Sequence, residues 1–88
     1  MEFVALGRFR KKPTKDTPKM MDEMYAALAA EGIKRVKIYW TLGRFDVAAI
    51  IEAPNERAMM KYAMMMGDVL QTETLVAVPR EEAIKWLK

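Results

Sequence analysis

Residues 33–53, IKRVKIYWTLGRFDVAAIIEA, decide how the whole chain is read. From Ile33 to Leu42 the side chains alternate. Val36, Ile38, Trp40 and Leu42 fall on one side, and Lys37, Tyr39 and Thr41 on the other, which is the two-residue period of a half-buried strand. Gly43-Arg44 follows, with glycine at the first central position that a two-residue type II′ hairpin turn requires. Residues 45–53 form the return strand, and the turn sets its register. Leu42 then faces Phe45, Thr41 faces Asp46, Trp40 faces Val47, Tyr39 faces Ala48, Lys37 faces Ile50 and Arg35 faces Glu52. Val36, Ile38, Trp40, Val47, Ala49 and Ile51 are expected to meet helices. Lys37, Tyr39, Thr41, Asp46, Ala48, Ile50 and Glu52 make a mixed second face.

Outward from the hairpin, the pattern switches between periods of two and about 3.6. Residues 2–9, EFVALGRF, have strand length and a small-residue middle. After a basic loop, Thr17 is expected as an N-cap and Pro18 as the first helical residue, with Met21, Met24, Tyr25 and Leu28 at helical spacing. Gly32 closes that helix in the left-handed conformation. Pro54-Asn55 breaks the return strand, a helix runs over 56–66, and residues 69–78 form a β-branched last strand. Pro79 opens a short terminal helix. The order β-α-β-β-α-β is that of the ferredoxin-like split unit, an α+β sandwich with a four-stranded antiparallel sheet and both helices on one side. Residues 1–88 form one domain.

Composition narrows the chemistry. The chain contains no Cys, His or Ser. Thiolate and imidazole chemistry, serine nucleophiles, disulfides and Cys/His zinc sites are therefore excluded, and neither a metal nor a cofactor is expected. Carboxylate, Lys, Tyr, Thr and Arg chemistry remains. Single Asn and Gln residues lean toward a thermophilic source, against which stand nine methionines. No apolar run is long enough to span a membrane and the first residues do not read as a signal peptide, so the expectation is a cytoplasmic protein. A chain this short hides only about 60–65% of its unfolded surface, yet 52% of its residues are hydrophobic. That surplus favours a homodimer or a larger homo-oligomer.

Three stretches could carry function. The uncovered sheet face, together with a Phe3, Ala5, Gly7 line from the first strand, would pair with a second copy into a dimeric barrel. Its pocket candidates for a small molecule are Tyr39, Thr41, Asp46, Thr72, Glu73 and Thr74. Asp46 or Glu73, buried in such a cavity, could act as a base in a cofactor-independent monooxygenase or isomerase. For Glu52 the simpler reading is a cross-strand ion pair with Arg35. A basic cluster, Arg8, Arg10, Lys11, Lys12, Lys15 and Lys19, could hold an anion at the start of the first helix. Nucleic acid is disfavoured there, because the net charge is only +3 and Phe9 is the lone interleaved aromatic. The helix over 56–66 is apolar nearly all round, so the terminal helix with Trp86 or another subunit is expected to cover its methionines.

These blocks also carry a resemblance. YWTLGRFDVAAIIEAPNE (39–56), DVLQTETLVAV (68–78) and KDTPK (15–19) resemble the GYD-domain family of small prokaryotic proteins. Gly43, Phe45 and Asp46 stand at its Gly-Tyr-Asp motif, with Arg44 inserted and Phe45 in place of the tyrosine. The resemblance implies a dimeric α/β-barrel fold, shared with monooxygenases, lactone isomerases and haem-dependent enzymes. It implies no particular reaction, and Phe45 lacks the hydroxyl that tyrosine chemistry would need.

Overall fold

The computed structural model describes residues 1–87. Strands β1 (Glu2–Phe9), β2 (Lys34–Trp40), β3 (Val47–Glu52) and β4 (Leu70–Ala77) alternate with helices α1 (Thr17–Leu28), α2 (Glu56–Met66) and α3 (Arg80–Ala83), the first and last helices each running on into a 3-10 turn. The sheet order is β2-β3-β1-β4, and each neighbouring pair is antiparallel. This is the α+β, ferredoxin-like arrangement expected from the sequence. No helix among the described residues is long and apolar enough to cross a membrane.

One sheet face carries the core. Phe3 and Ala5 of β1, Ala49 and Ile51 of β3, and Leu70 of β4 are buried beneath Met21, Tyr25 and Leu28 of α1 and Ala58, Met59, Tyr62 and Met66 of α2. Burying such side chains contributes about 1.5–3 kcal/mol each, the main force holding helices to sheet. Gly7 lies in the same row. A Cβ there would come within 3.1 Å of the Leu70 side chain, which would have to give way by a few tenths of an ångström; with glycine, Leu70 fills the space above it. Asn55 starts α2 by accepting the Ala58 amide at 3.0 Å. Gly32, at φ 79°, ends the 3-10 turn after α1 as expected.

Several local expectations are corrected. Phe3, Ala5 and Gly7 face the helices and do not join the uncovered face; Phe3 and Ala5 are buried, and Gly7 makes room for Leu70 in the same row. Thr17 does not cap α1. Its hydroxyl accepts the Thr14 amide at 2.8 Å, one turn before the helix, and is thereby turned away from the α1 amides. The hairpin closes more loosely than a two-residue turn. The Thr41 amide bonds the Asp46 carbonyl at 2.8 Å, and β2 ends at Trp40 while β3 begins only at Val47.

The largest correction lies in β2. Tyr39↔Ala48 and Lys37↔Ile50 pair as expected, but a β-bulge at Val36 shifts everything before it. Arg35 lies opposite Ile51, and Lys34 opposite Glu52. Arg35 thus turns to the helix side, where it meets Asp22 at 2.8 Å and stacks 4.6 Å above the Tyr25 ring. The Arg35–Glu52 ion pair does not form, and Val36 is exposed.

Candidate functional site

The second face of the sheet has no helix over it. Alternation along β1 and β3 puts Val4, Leu6, Ala48 and Ile50 on this side, each half-buried. Register sets Val4 beside both Ile50 and Leu75, and Leu6 beside Ala48 and Glu73. Tyr39, next to Ala48, is 50% exposed and Leu75 45%. An apolar centre is therefore left facing outward. Charge collects at the two ends of the strands. Glu2 and Glu52 pair across β1 and β3 at one end, and Arg8 lies near Arg44 at the other.

The six pocket candidates do not converge. Tyr39 and Glu73 share the uncovered face. Thr72 and Thr74 flank Glu73 in β4 and so point the opposite way, opposite Gly7 and Ala5 of the core row. Thr74 lines a shallow apolar groove of about 220 Å³ with Met59, Met60 and Val76. Thr41 and Asp46 sit at the hairpin, where both serve the backbone. The Thr41 hydroxyl donates to the Phe45 carbonyl at 2.6 Å. The Asp46 carboxylate accepts the Phe9 amide at 2.9 Å, and its own amide donates to the Gly7 carbonyl at 2.8 Å. Because β3 starts at Val47, the carboxylate does for Phe9 what a strand carbonyl would have done.

The basic stretch borders two hollows, of about 280 and 320 Å³, both lined by Phe9, Arg10, Lys11 and Lys12. Trp40, edge-on to Phe9 with ring centres 5.1 Å apart, walls the first. Arg10 has a structural task, since its Nε donates to the Gly67 carbonyl at 2.6 Å and caps the C-terminus of α2. Arg8 lies away from these hollows, lining a separate one with Arg44 and Glu73. Lys15 is exposed on the loop before α1 and lines none of these hollows. Among the described residues no group of three or more carboxylates gathers as a metal site.

Beneath the helices, the Tyr25 and Tyr62 hydroxyls meet at 2.8 Å. Burial raises the pKa of both phenols above the ordinary tyrosine value. For Tyr62 the adjacent Tyr25 raises it further, while the Arg35 guanidinium pulls both back. Sequence reading treated these tyrosines only as helix-face apolar positions. The usable signal was that a buried phenol needs a partner, and two sit on core positions of the two helices.

A profile for the GYD domain matches residues 3–87, nearly the full length of the chain. The chain belongs to the GYD-domain family. No curated protein matches it. In this GYD domain the motif aspartate is a sheet-closing residue, and Phe45, beside it, lies 5.3 Å beneath the Arg44 guanidinium. The block around Thr72–Thr74 supplies two helix-side threonines with an outward glutamate between them.

Proposed function

We propose that this GYD domain works as a homodimer whose two uncovered sheet faces pair and enclose a pocket for a small, largely apolar molecule. The observation that carries the reading is the outward apolar centre of Val4, Leu6, Ala48, Ile50 and Leu75. An isolated domain this small has little reason to leave such a surface wet. The small Ala48, between Leu6 and Tyr39, leaves room at the middle of the face. Tyr39 and Glu73 are the polar groups placed to orient a bound molecule. Sedimentation velocity tests the pairing. The expected mass is twice the 10.1 kDa of the chain, falling to one chain in Ile50→Glu with the circular dichroism unchanged. Native mass spectrometry of the purified dimer then tests the pocket, where the expected result is added mass that Tyr39→Ala and Glu73→Ala remove. A monomeric wild type overturns the reading, and a dimer without added mass reduces it to a structural interface.

A second reading is anion binding by the basic stretch, favoured by the two hollows that share Arg10, Lys11 and Lys12. It predicts binding of labelled polyphosphate that weakens steeply with salt and is lost in Lys11→Ala/Lys12→Ala. Binding indifferent to salt would end it.

A further inference from the structure

The chain after β4 does not pack like the rest of the molecule. α3 and the 3-10 turn Ile84–Trp86 have their principal contacts with each other. Trp86 is 66% exposed and Leu87 78%. A four-residue helix has no stability of its own in water, and an indole so exposed contributes nothing to holding it. Among the described residues the arm has little of its own chain to pack on. It does not cover the methionines of α2, contrary to one of the two expectations from sequence: Met64 is 74% exposed.

Two features of the uncovered face say where that surface lies. The arm leaves the sheet at its acidic end, where Glu82 shares a hollow of about 380 Å³ with Glu2, Glu52 and Ala77. The opposite end holds a hollow of about 220 Å³ lined by Arg8, Arg44, Phe45, Gln71, Thr72 and Glu73, two guanidiniums against one carboxylate. Two copies pairing these faces can align acidic end over acidic end, or acidic end over basic end. Lys34, opposite Glu52, and the Met1 ammonium share the acidic end with three carboxylates, which leaves it net negative. Only the second arrangement sets Glu2, Glu52 and Glu82 of each copy against Arg8 and Arg44 of the other. It also carries each arm to the hairpin end of its partner.

We infer that the C-terminal arm, residues 79–87, seats on the hairpin end of a second copy of this chain, with Trp86 in the hollow between Arg8, Arg44 and Phe45. The inference rests on the sheet-paired dimer proposed above and adds its orientation and its clasp. Trp86 brings a π-face that a guanidinium can cover, and Phe45 an aromatic edge. The pairing is reciprocal, as a two-fold dimer demands.

Because the chain has no cysteine, introduced thiols report contacts without ambiguity. A Leu87→Cys chain, which keeps Trp86, and a Gln71→Cys chain with different tags are co-expressed, sized by sedimentation, then oxidised. Gln71 is exposed and uncharged, so both arginines remain. The expected result is a dimer in which the two tags become covalently joined. A dimer that oxidation leaves unjoined overturns the arm contact while sparing the sheet pairing. A bond formed within one chain carrying both substitutions overturns it as well. A monomer overturns both. Independently, removing residues 79–88 is expected to raise the dimer Kd about tenfold or more with the monomer fold intact; an unchanged Kd refutes the clasp.

Discussion

Ile50 and Ile51 are chemically identical neighbours in β3, yet they belong to different surfaces. Ile51 is 0% exposed among the α1 and α2 side chains, whereas Ile50 lies on the face that no helix covers. One face is finished within the chain: its apolar rows meet helices, its polar atoms are paired, and Gly7 yields its volume to Leu70. The other has an apolar middle with acidic and basic ends and nothing above it. The same strand thus specifies a core on one side and, in the proposed dimer, the assembly surface on the other.

The comparison can be broken by truncating both isoleucines. Ile51→Ala is expected to cost about 2–5 kcal/mol in denaturant unfolding, the range for a buried side chain whose cavity cannot fully collapse. Ile50→Ala should change unfolding of the dilute monomer by less than about 1 kcal/mol while weakening self-association. Equal losses in monomer stability would mean that the second face is already part of the core.

The finished face depends on one polar contact as well. Tyr62→Phe leaves the buried Tyr25 hydroxyl without its partner and should cost about 1–3 kcal/mol in chemical denaturation. pH sharpens the same point. Both phenols are raised by burial in the folded state, while the unfolded chain ionises them near pH 10. Folding is therefore unpenalised below about pH 10, and stability falls as pH climbs from there toward the folded values. Tyrosinate absorbance from this pair is expected to rise together with loss of the native circular dichroism. Ionisation within an intact fold would contradict the sealed pair.

Smaller effects belong to the margins of the core. Asn55→Ala removes the α2 cap and is expected to cost about 1 kcal/mol, measured as a shift in the urea midpoint. Asp22→Ala should cost less than about 1 kcal/mol, because the Arg35–Asp22 pair is largely solvated, with 61% of the Asp22 side chain exposed.

The finished face was the more legible in sequence, for a physical reason. Period-two and helical spacing are local, so β1, the Tyr39–Ala48 and Trp40–Val47 pairing and the span of α2 could be read from neighbours along the chain. The open face was only half legible. Tyr39, Ala48 and Ile50 follow from the hairpin register, but the contribution of β1 depends on which of its two rows the helices choose. Composition does not settle that choice when Val4-Leu6 and Phe3-Ala5 are both apolar. The bulge at Val36 left one trace, the polar doublet Lys34-Arg35: strict alternation puts Ile33 and Ile38 on opposite faces, and only an inserted residue brings both to the helix side. Arg35 took its side from that single insertion. For Asp46, beside the turn, a bond to Thr41 or to a backbone amide was the simpler alternative to a ligand role, and it does take an amide; that the amide is Phe9, 37 residues away in sequence, no local pattern encodes. Thr72 and Thr74 were grouped with Glu73 by adjacency, although strand alternation separates them.

The bulge has a consequence for how the molecule behaves in a crowd. Strands β2 and β4 are the two borders of the sheet, each a row of backbone groups that a foreign strand could extend. At β2 the bulge interrupts the even spacing of those groups, and the flanking Lys34 and Lys37 repel a second copy drawn up alongside. At β4 the ladder runs unbroken for eight residues, LQTETLVA, with Thr72, Thr74 and Val76 well suited to pleated pairing. Runaway polymerisation needs two receptive borders, one to give and one to take. With β2 spoiled, edge-to-edge growth through the borders of the sheet stops after a single joining of β4 to β4.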